Sequence, residues 1–201
     1  IAEYRAVLAL NDGLEEAGLA LSKLHFDAGD PETAQEVLDQ LLAKAPRSAR
    51  AYHYRGLIAL QGGDKAGAEL DLRKSIALDS SFQRAYNSLA GLLTDTNRIP
   101  EAIAVYEQML GSTPQAYHVR LQIAQLFEKQ NDSQRALDQY LQFLRLDDTN
   151  ADARRRAGVL LIDVGRASEA VDLLNVSPDQ DGAGHFHFLR AYALEVSGQV
   201  D

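Results

Sequence analysis

Side chains capable of catalysis or metal binding are mostly scattered in this sequence, and two short segments bring some of them together. His185 and His187 are two residues apart, and on a helix this spacing points the two imidazoles to different sides, so they form a poor metal-binding pair. Asp179, Asp181 and Gly182 partly match a calcium-binding loop, but Arg190 stands at the twelfth position, where a bidentate Glu is required. We interpret this second segment as a turn.

Longer catalytic motifs are absent from the sequence. It contains no nucleophile elbow, no glycine-rich phosphate loop and no paired-His zinc motif. It also contains no Cys, which excludes a disulfide framework, a thiolate metal site and a cysteine nucleophile. We therefore expect no catalytic activity, no cofactor and no metal.

Charge and hydropathy exclude two further classes of protein. The formal net charge of the 201-residue chain is -9, whereas nucleic-acid-binding proteins usually carry a strongly basic surface. Hydrophobic residues make up 46% of the chain, but no run reaches the roughly 18 apolar residues of a transmembrane helix. We expect neither a nucleic-acid partner nor membrane insertion. Arg outnumbers Lys, which suggests a bacterial source and leaves cytoplasm and periplasm both open.

The elements that position these side chains follow a pattern seen best in residues 83–116. At helical spacing this stretch forms two short amphipathic helices separated by Asn97, and Pro114 closes it. The residues on the apolar faces are Tyr86, Leu89, Ala90 and Leu93 in the first helix, and Ala102, Tyr106 and Met109 in the second.

Two sets of residues recur with the period of this stretch. The first set consists of Ala at a constant interval: Ala34, Ala68, Ala102, Ala136 and Ala170. The second set stands between the two helices of each pair: Gly29, Gly63, Asn97, Asn131, Gly165 and Gly198. A helix often ends on a residue with positive φ, which Gly adopts without a Cβ penalty and Asn adopts at little cost. The chain is therefore predicted to be a series of helix pairs.

These residue types at these offsets resemble the tetratricopeptide repeat (TPR), a helix pair that occupies about 34 residues. Tyr86 stands where the consensus has Trp, and Ala90 stands where it has Gly. The resemblance implies an all-α fold, an α-solenoid of antiparallel helix pairs that forms a right-handed TPR superhelix. In this family the first helices line a concave face and the second helices form the outer face.

The repeat pattern covers the whole chain as a single solenoid. We assign repeats to residues 15–48, 49–82, 83–116, 117–150 and 151–183, with partial repeats at 1–14 and 184–201. Both ends divide a repeat, so we expect a fragment of a longer array, with a processed chain as the alternative. Residues 174–184 are rich in Gly and Asp, and we expect a looser loop there. In the second repeat Arg55 replaces a large apolar residue, and we expect its stem to pack while its head reaches water.

The resemblance also implies which residues line the groove, since the family uses fixed positions of each first helix. The residues predicted to contact a peptide or partner are Arg50, His53, Tyr54, Arg84, Asn87, His118, Gln122, Arg155 and Arg156. Further residues at groove positions are Leu57, Ser88, Gly91, Asp95, Leu121, Gln125, Glu128, Lys129, Asp152, Val159 and Asp163. The early positions form a cationic strip, because Asp152 is the one carboxylate beside four Arg residues. This strip could receive carboxylates or a phosphate, or its Arg residues could pair with Asp across a helical turn.

Two narrower functions known in the family are not matched. Chaperone-binding members clamp a carboxylate with Lys, Asn and Arg, whereas the best alignment here offers Asn87, Gly91, Gln122, Asp152 and Arg156, and Asp152 would repel a carboxylate. Sugar-transferase members carry a ladder of Asn residues along the groove, and Asn87 stands alone here.

Three hypotheses of function follow. The first is a scaffold without catalysis that binds a peptide or partner protein in the concave groove, where acidic groups on the partner would match the Arg residues. The second is a TPR arm of a larger bacterial envelope or polysaccharide-secretion protein, or of a transferase. The third is self-association, because uncapped ends expose apolar helix faces.

Overall fold

The computed structural model describes residues 15–175 and 185–199, and within these ranges the regular structure is entirely α-helical. The all-α prediction is therefore confirmed. The chain divides into two compact units, Ile1–Thr113 and Pro114–Asp201, called unit 1 and unit 2 below. That the units form one continuous solenoid stays a prediction. The described helices of unit 1 are α1 (Glu15–Asp27), α2 (Pro31–Lys44), α3 (Ala49–Gln61), α4 (Lys65–Leu78), α5 (Gln83–Asp95) and α6 (Ile99–Ser112).

Unit 2 repeats the same alternation of helices. Its described helices are α7 (Val119–Lys129), α8 (Ser133–Leu144), α9 (Ala151–Asp163), α10 (Ala167–Leu173) and α11 (His185–Ser197). In both units each helix packs against the next one along the chain, and first helices of neighbouring repeats also touch, as α1 touches α3 and α9 touches α11. This is the consecutive packing of an α-solenoid. The helix α11 lies where a partial repeat was predicted, over 184–201, whereas the predictions for residues 1–14 and 176–184 lie outside the described residues.

The turn inside each helix pair uses the predicted left-handed residue. All six members of the Gly/Asn set have positive φ, and Asn97 and Asn131 are the non-glycine members at 59° and 58°. Gly63, at φ 83°, has open space where a Cβ would stand. Glycine is therefore favoured there for its backbone freedom and not because a side chain would clash.

Local hydrogen bonds start the helices. The Asp30 carboxylate accepts a hydrogen bond of 3.1 Å from the Thr33 backbone N–H, and Pro31 follows it at the first helical position, as expected. Asp64, Asp132 and Asn150 cap α4, α8 and α9 in the same way. These contacts depend on neighbours in sequence, which is why the helix starts could be predicted.

The repeated Ala residues lie where two helices approach closely. All five, from Ala34 to Ala170, have 0% exposure. The facing first helices carry small residues: a Cβ built on Gly56 would lie 3.1 Å from Leu72, and the Ser22 hydroxyl donates to the Ala34 carbonyl oxygen at 2.9 Å. Larger side chains at these positions would force the helices apart.

Candidate functional site

In unit 1 two of the predicted groove residues, Tyr54 and Leu57, line a slot of about 130 Å³ between α1 and α3. The slot lies against Phe26, which is half-buried at the edge of the core. Lys23 and Asp27 form an ion pair at its rim. The lining is mostly apolar, so the slot offers a partner one compact apolar position.

The other predicted residues of unit 1 differ in their exposure. Arg50 forms an ion pair with Glu16, and this contact lowers the pKa of the Glu16 carboxyl. Arg84 and Asn87 are exposed, and within the described residues Arg84 forms no ion pair. Arg84 is therefore the groove cation of this unit that a ligand could bind without first breaking an ion pair.

His53 is buried, with 5% of its surface exposed. Its Nε2 lies 3.1 Å from the Ser88 hydroxyl on α5, and its ring packs edge-on against Tyr54 and Phe82. Burial, with a smaller contribution from the positive charge of Arg84, lowers the pKa of His53 to about 4. His53 is therefore a neutral side chain that links the first helices α3 and α5, and its ring packs edge-on against the ring of Tyr54.

In unit 2 the structure brings together several residues at groove positions from α7 and α9. Arg155, Arg156, Glu128, Val159 and Asp163 line a cleft of about 330 Å³. Arg156 donates to the Glu128 carboxylate at 2.7 Å and to Asp152 at 3.0 Å.

Arg155, the other predicted cation of α9, also has a partner. It donates to Asp152 at 2.6 Å, and this hydrogen bond, with a smaller contribution from Arg156, lowers the pKa of the Asp152 carboxyl. In α9 the Arg residues therefore pair with Asp152 across a helical turn, which is one of the two alternatives given above for the cationic strip. A ligand carboxylate at Arg155 or Arg156 must compete with Asp152.

A buried tyrosine lies close to this ion-pair cluster. Tyr140 on α8 has 1% exposure, and its hydroxyl forms no hydrogen bond with the described residues. Burial, followed by the negative charge of Glu128, raises the pKa of Tyr140 to about 12. The phenol therefore stays neutral at physiological pH and leaves the charge balance of the cluster unchanged.

The two other predicted residues of unit 2 lie at the start of α7. His118 is exposed and occupies the N-cap position without a capping side-chain hydrogen bond. Gln122 is half-buried, and its Oε1 has no hydrogen-bond partner in the described part of the chain.

One residue cluster on the second-helix side of unit 1 was missed by sequence reasoning. We expected the Arg55 guanidinium to reach water, but two carboxylates bind it instead. Asp71 accepts two hydrogen bonds from it, at 2.7 and 2.8 Å, and Asp39 accepts one, at 2.7 Å. The signal that could have revealed it is the pair of opposite charges at Arg55 and Asp71, since the corresponding residues of the first and third repeats are all apolar.

The described part of the chain contains neither a membrane-spanning helix nor a cluster of side chains that could bind a metal ion. No helix in residues 15–175 and 185–199 has the length and apolar character needed to cross a bilayer. Over the same residues no three His, Cys, Asp or Glu side chains cluster closely enough to hold a metal ion.

Consecutive helix pairs, each packed on its neighbours along the chain, are the architecture of the α-solenoid repeat proteins. The family model for the tetratricopeptide repeat matches residues 19–81 and 121–185. The chain belongs to this family, whose members generally serve as scaffolds for protein interactions.

Comparisons with individual proteins agree with this assignment. The chain is 31% identical over 173 residues to the TPR repeat-containing protein PA4299 of Pseudomonas aeruginosa, covering 84% of this chain and 67% of that protein. Among solved structures it resembles YrrB, described as a TPR protein with an unusual peptide-binding site, with a TM-score of 0.64, 17% identity and coverage of 96% of this chain and 97% of YrrB. It also resembles a tetratricopeptide repeat protein from Parabacteroides merdae, with a TM-score of 0.64, 18% identity and coverage of 91% and 73%. Because the identities to the two solved structures are only 17% and 18%, their likeness to this chain concerns the fold alone.

Proposed function

We propose that the protein is a scaffold that binds a peptide segment of a partner protein along the first-helix side of its repeats. The observation that carries this proposal is the slot between α1 and α3, which Tyr54 and Leu57 line. In peptide recognition a few buried anchors supply most of the binding energy. A slot of about 130 Å³ with an apolar lining suits one large apolar side chain of the peptide.

The charges near the groove positions favour a partner with acidic groups. Arg84 is exposed, and no described carboxylate pairs with it. Arg155 is half-exposed, and among the described residues its ion-pair partner is Asp152, itself at the surface. A carboxylate on the partner can bind Arg84 directly and can replace Asp152 at Arg155, and both Arg side chains can form bidentate contacts.

The test begins with peptides selected by the protein from a displayed random library. Affinity for a selected peptide that binds unit 1 is then measured by fluorescence anisotropy for the wild-type protein, Tyr54→Ala and Arg84→Glu, and affinity for a selected peptide that binds unit 2 is measured for the wild-type protein and Arg155→Glu. We expect each change to weaken binding of the peptide at its own unit by about tenfold, the effect of losing one anchor.

The matched control for the charge reversals is Arg145→Glu, which changes an exposed Arg at the end of α8, outside the groove positions. Its affinity should equal that of the wild-type protein. If all the groove variants bind as the wild type does while their helical content is unchanged, the binding site lies elsewhere on the molecule.

Self-association is a second candidate, favoured by an exposed apolar stripe on α11. Phe188, Tyr192 and Val196 are 75%, 49% and 49% exposed and follow one another at intervals of four residues. Apolar stripes of this kind commonly pair with a second copy. Light scattering over a concentration series tests the idea. A rise in mass that Phe188→Asp abolishes supports it, and a constant monomer mass contradicts it.

A further inference from the structure

The second repeat contains an ion pair where neighbouring repeats contain apolar residues. The pair joins Arg55 on α3 to Asp71 on α4. The corresponding pairs of the first and third repeats are Leu21 with Val37 and Leu89 with Val105, all of them buried. The second repeat therefore carries opposite charges at two positions that are apolar in both of its neighbours.

This ion pair is costly to bury, so stability alone does not explain it. The Asp71 side chain is 9% exposed and the Arg55 side chain is 27% exposed. Removing two charges from water costs several kcal/mol per ion, and well-packed apolar residues of similar size are often as stable or more stable. Arg55 nevertheless donates to Asp71 through both Nε and Nη2 and to Asp39 through Nη1. Its guanidinium is thus fixed in one orientation.

The fixed guanidinium lies in the wall of a cleft of about 500 Å³ between α2, α3 and α4, which we call the second-helix cleft. The residues that line it are Pro31, Glu32, Gln35, Asp39, Arg55, Ile58, Ala59, Gly62, Asp64, Gly67, Leu70 and Asp71. Leu70 is 71% exposed, although its side chain is large and apolar. Four carboxylates against one guanidinium give this lining a formal charge of -3.

The second-helix cleft does not share the face that carries the groove residues. Around the axis of α3, where successive residues are about 100° apart, the mean direction of Arg55, Ile58, Ala59 and Gly62 lies about 140° from that of Arg50, His53, Tyr54 and Leu57. A ligand in this cleft and a peptide at Tyr54 would therefore contact different faces of α3. Ile58 borders both surfaces, and variants that leave it unchanged can test them separately.

We propose that the second-helix cleft is a second docking surface, which binds a basic segment of a partner protein containing an apolar residue. The apolar side chain packs on Leu70 and Ile58, and Lys or Arg side chains bind the carboxylates of Glu32 and Asp39. Asp71 is already saturated by Arg55, so its role is to hold the guanidinium in place. The negative lining selects the charge of the segment, and the exposed Leu70 adds apolar contact area.

The test uses two synthetic peptides, one of alternating Lys and Leu and one of alternating Glu and Leu, with affinity measured by fluorescence anisotropy. We expect the Lys peptide to bind at the second-helix cleft and the Glu peptide not to bind there, so that Leu70→Ser leaves any affinity for the Glu peptide unchanged. Leu70→Ser and Glu32→Gln should each weaken binding of the Lys peptide by about fivefold or more, while Tyr54→Ala leaves it unchanged.

The matched control is Glu36→Gln. Glu36 is an exposed residue of α2 outside the cleft, and its change alters net charge as much as Glu32→Gln does. If the two Gln variants lose affinity equally, the peptide responds to overall charge and the proposal is overturned. Binding of the Glu peptide that Leu70→Ser weakens as much as it weakens binding of the Lys peptide would also overturn it.

A double variant, Arg55→Leu with Asp71→Val, gives the second repeat the residues of the first. It should fold at least as stably as the wild type, because apolar pairs of this type are already buried in the neighbouring repeats. It should also bind the Lys peptide about fivefold or more weakly, since Asp39 loses its fixed partner and the cleft its shape. A folded double variant with unchanged affinity would show that the ion pair does not form the docking surface.

Discussion

Mild acid is expected to destabilise unit 1 through one imidazole, that of His53. The ring is 5% exposed and lies between Tyr54 and Phe82, with the charge of Arg84 nearby. Burial, the larger cause, and Arg84 lower its pKa to about 4, against about 6.5 in the unfolded chain. Between these two pH values the unfolded chain binds a proton that the folded protein does not.

The size of the effect follows from this difference in pKa. The free energy of unfolding is unaffected by His53 above about pH 6.5 and falls as the pH decreases from there towards about 4. From about pH 7.5 to about pH 5, a pKa of about 4 in the folded protein against about 6.5 in the unfolded chain gives a loss of about 2 kcal/mol. A loss of this size is a large part of the stability of an ordinary domain.

The measurement is urea unfolding followed by far-ultraviolet circular dichroism at the two pH values. The informative variant is His53→Leu, because Leu19 occupies the same position of the first repeat and is buried there. We expect the wild-type protein to lose about 2 kcal/mol more than His53→Leu between the two pH values.

The control is His118→Gln, since His118 is exposed. This variant should show the pH dependence of the wild-type protein. If His53→Leu loses as much stability as the wild type on acidification, the imidazole is not held neutral by burial, and the interpretation of this contact between first helices is wrong.

The remaining predictions concern the repeat itself and are measured by the same unfolding assay. Gly63→Val should cost about 1–2 kcal/mol, because φ is 83° there, whereas Gly63→Asn should cost less, as Asn97 holds that conformation at the equivalent position. Equal losses in the two variants would contradict the backbone explanation. Ala102→Leu should cost about 1–3 kcal/mol by overpacking a fully buried contact, while Ala104→Leu on the exposed face of the same helix changes stability by less than about 0.5 kcal/mol. Similar stability of these two Leu variants would show that α6 is rotated from its assigned register.

Much of the fold follows from the sequence because its signals are local and repeated. A left-handed residue such as Gly29 ends one helix, an acidic cap such as Asp30 starts the next, and each acts on backbone atoms a few residues away. Repetition strengthens these signals, since the same residue types return at a constant interval along the chain. Helix pairs, their turns and the buried Ala positions could therefore be predicted from the sequence alone.

The side-chain contacts of the candidate site could not be predicted from the sequence. His53 and Tyr54 are neighbours in sequence, yet the imidazole is buried against α5 while the phenol lines the slot. Arg156 on α9 meets Glu128 on α7, and Arg55 on α3 meets Asp71 on α4. Periodicity gives the face of a helix on which a residue lies. Burial and pairing are decided by the side chains that the packed neighbouring helices bring to that face, and these became known only from the tertiary structure.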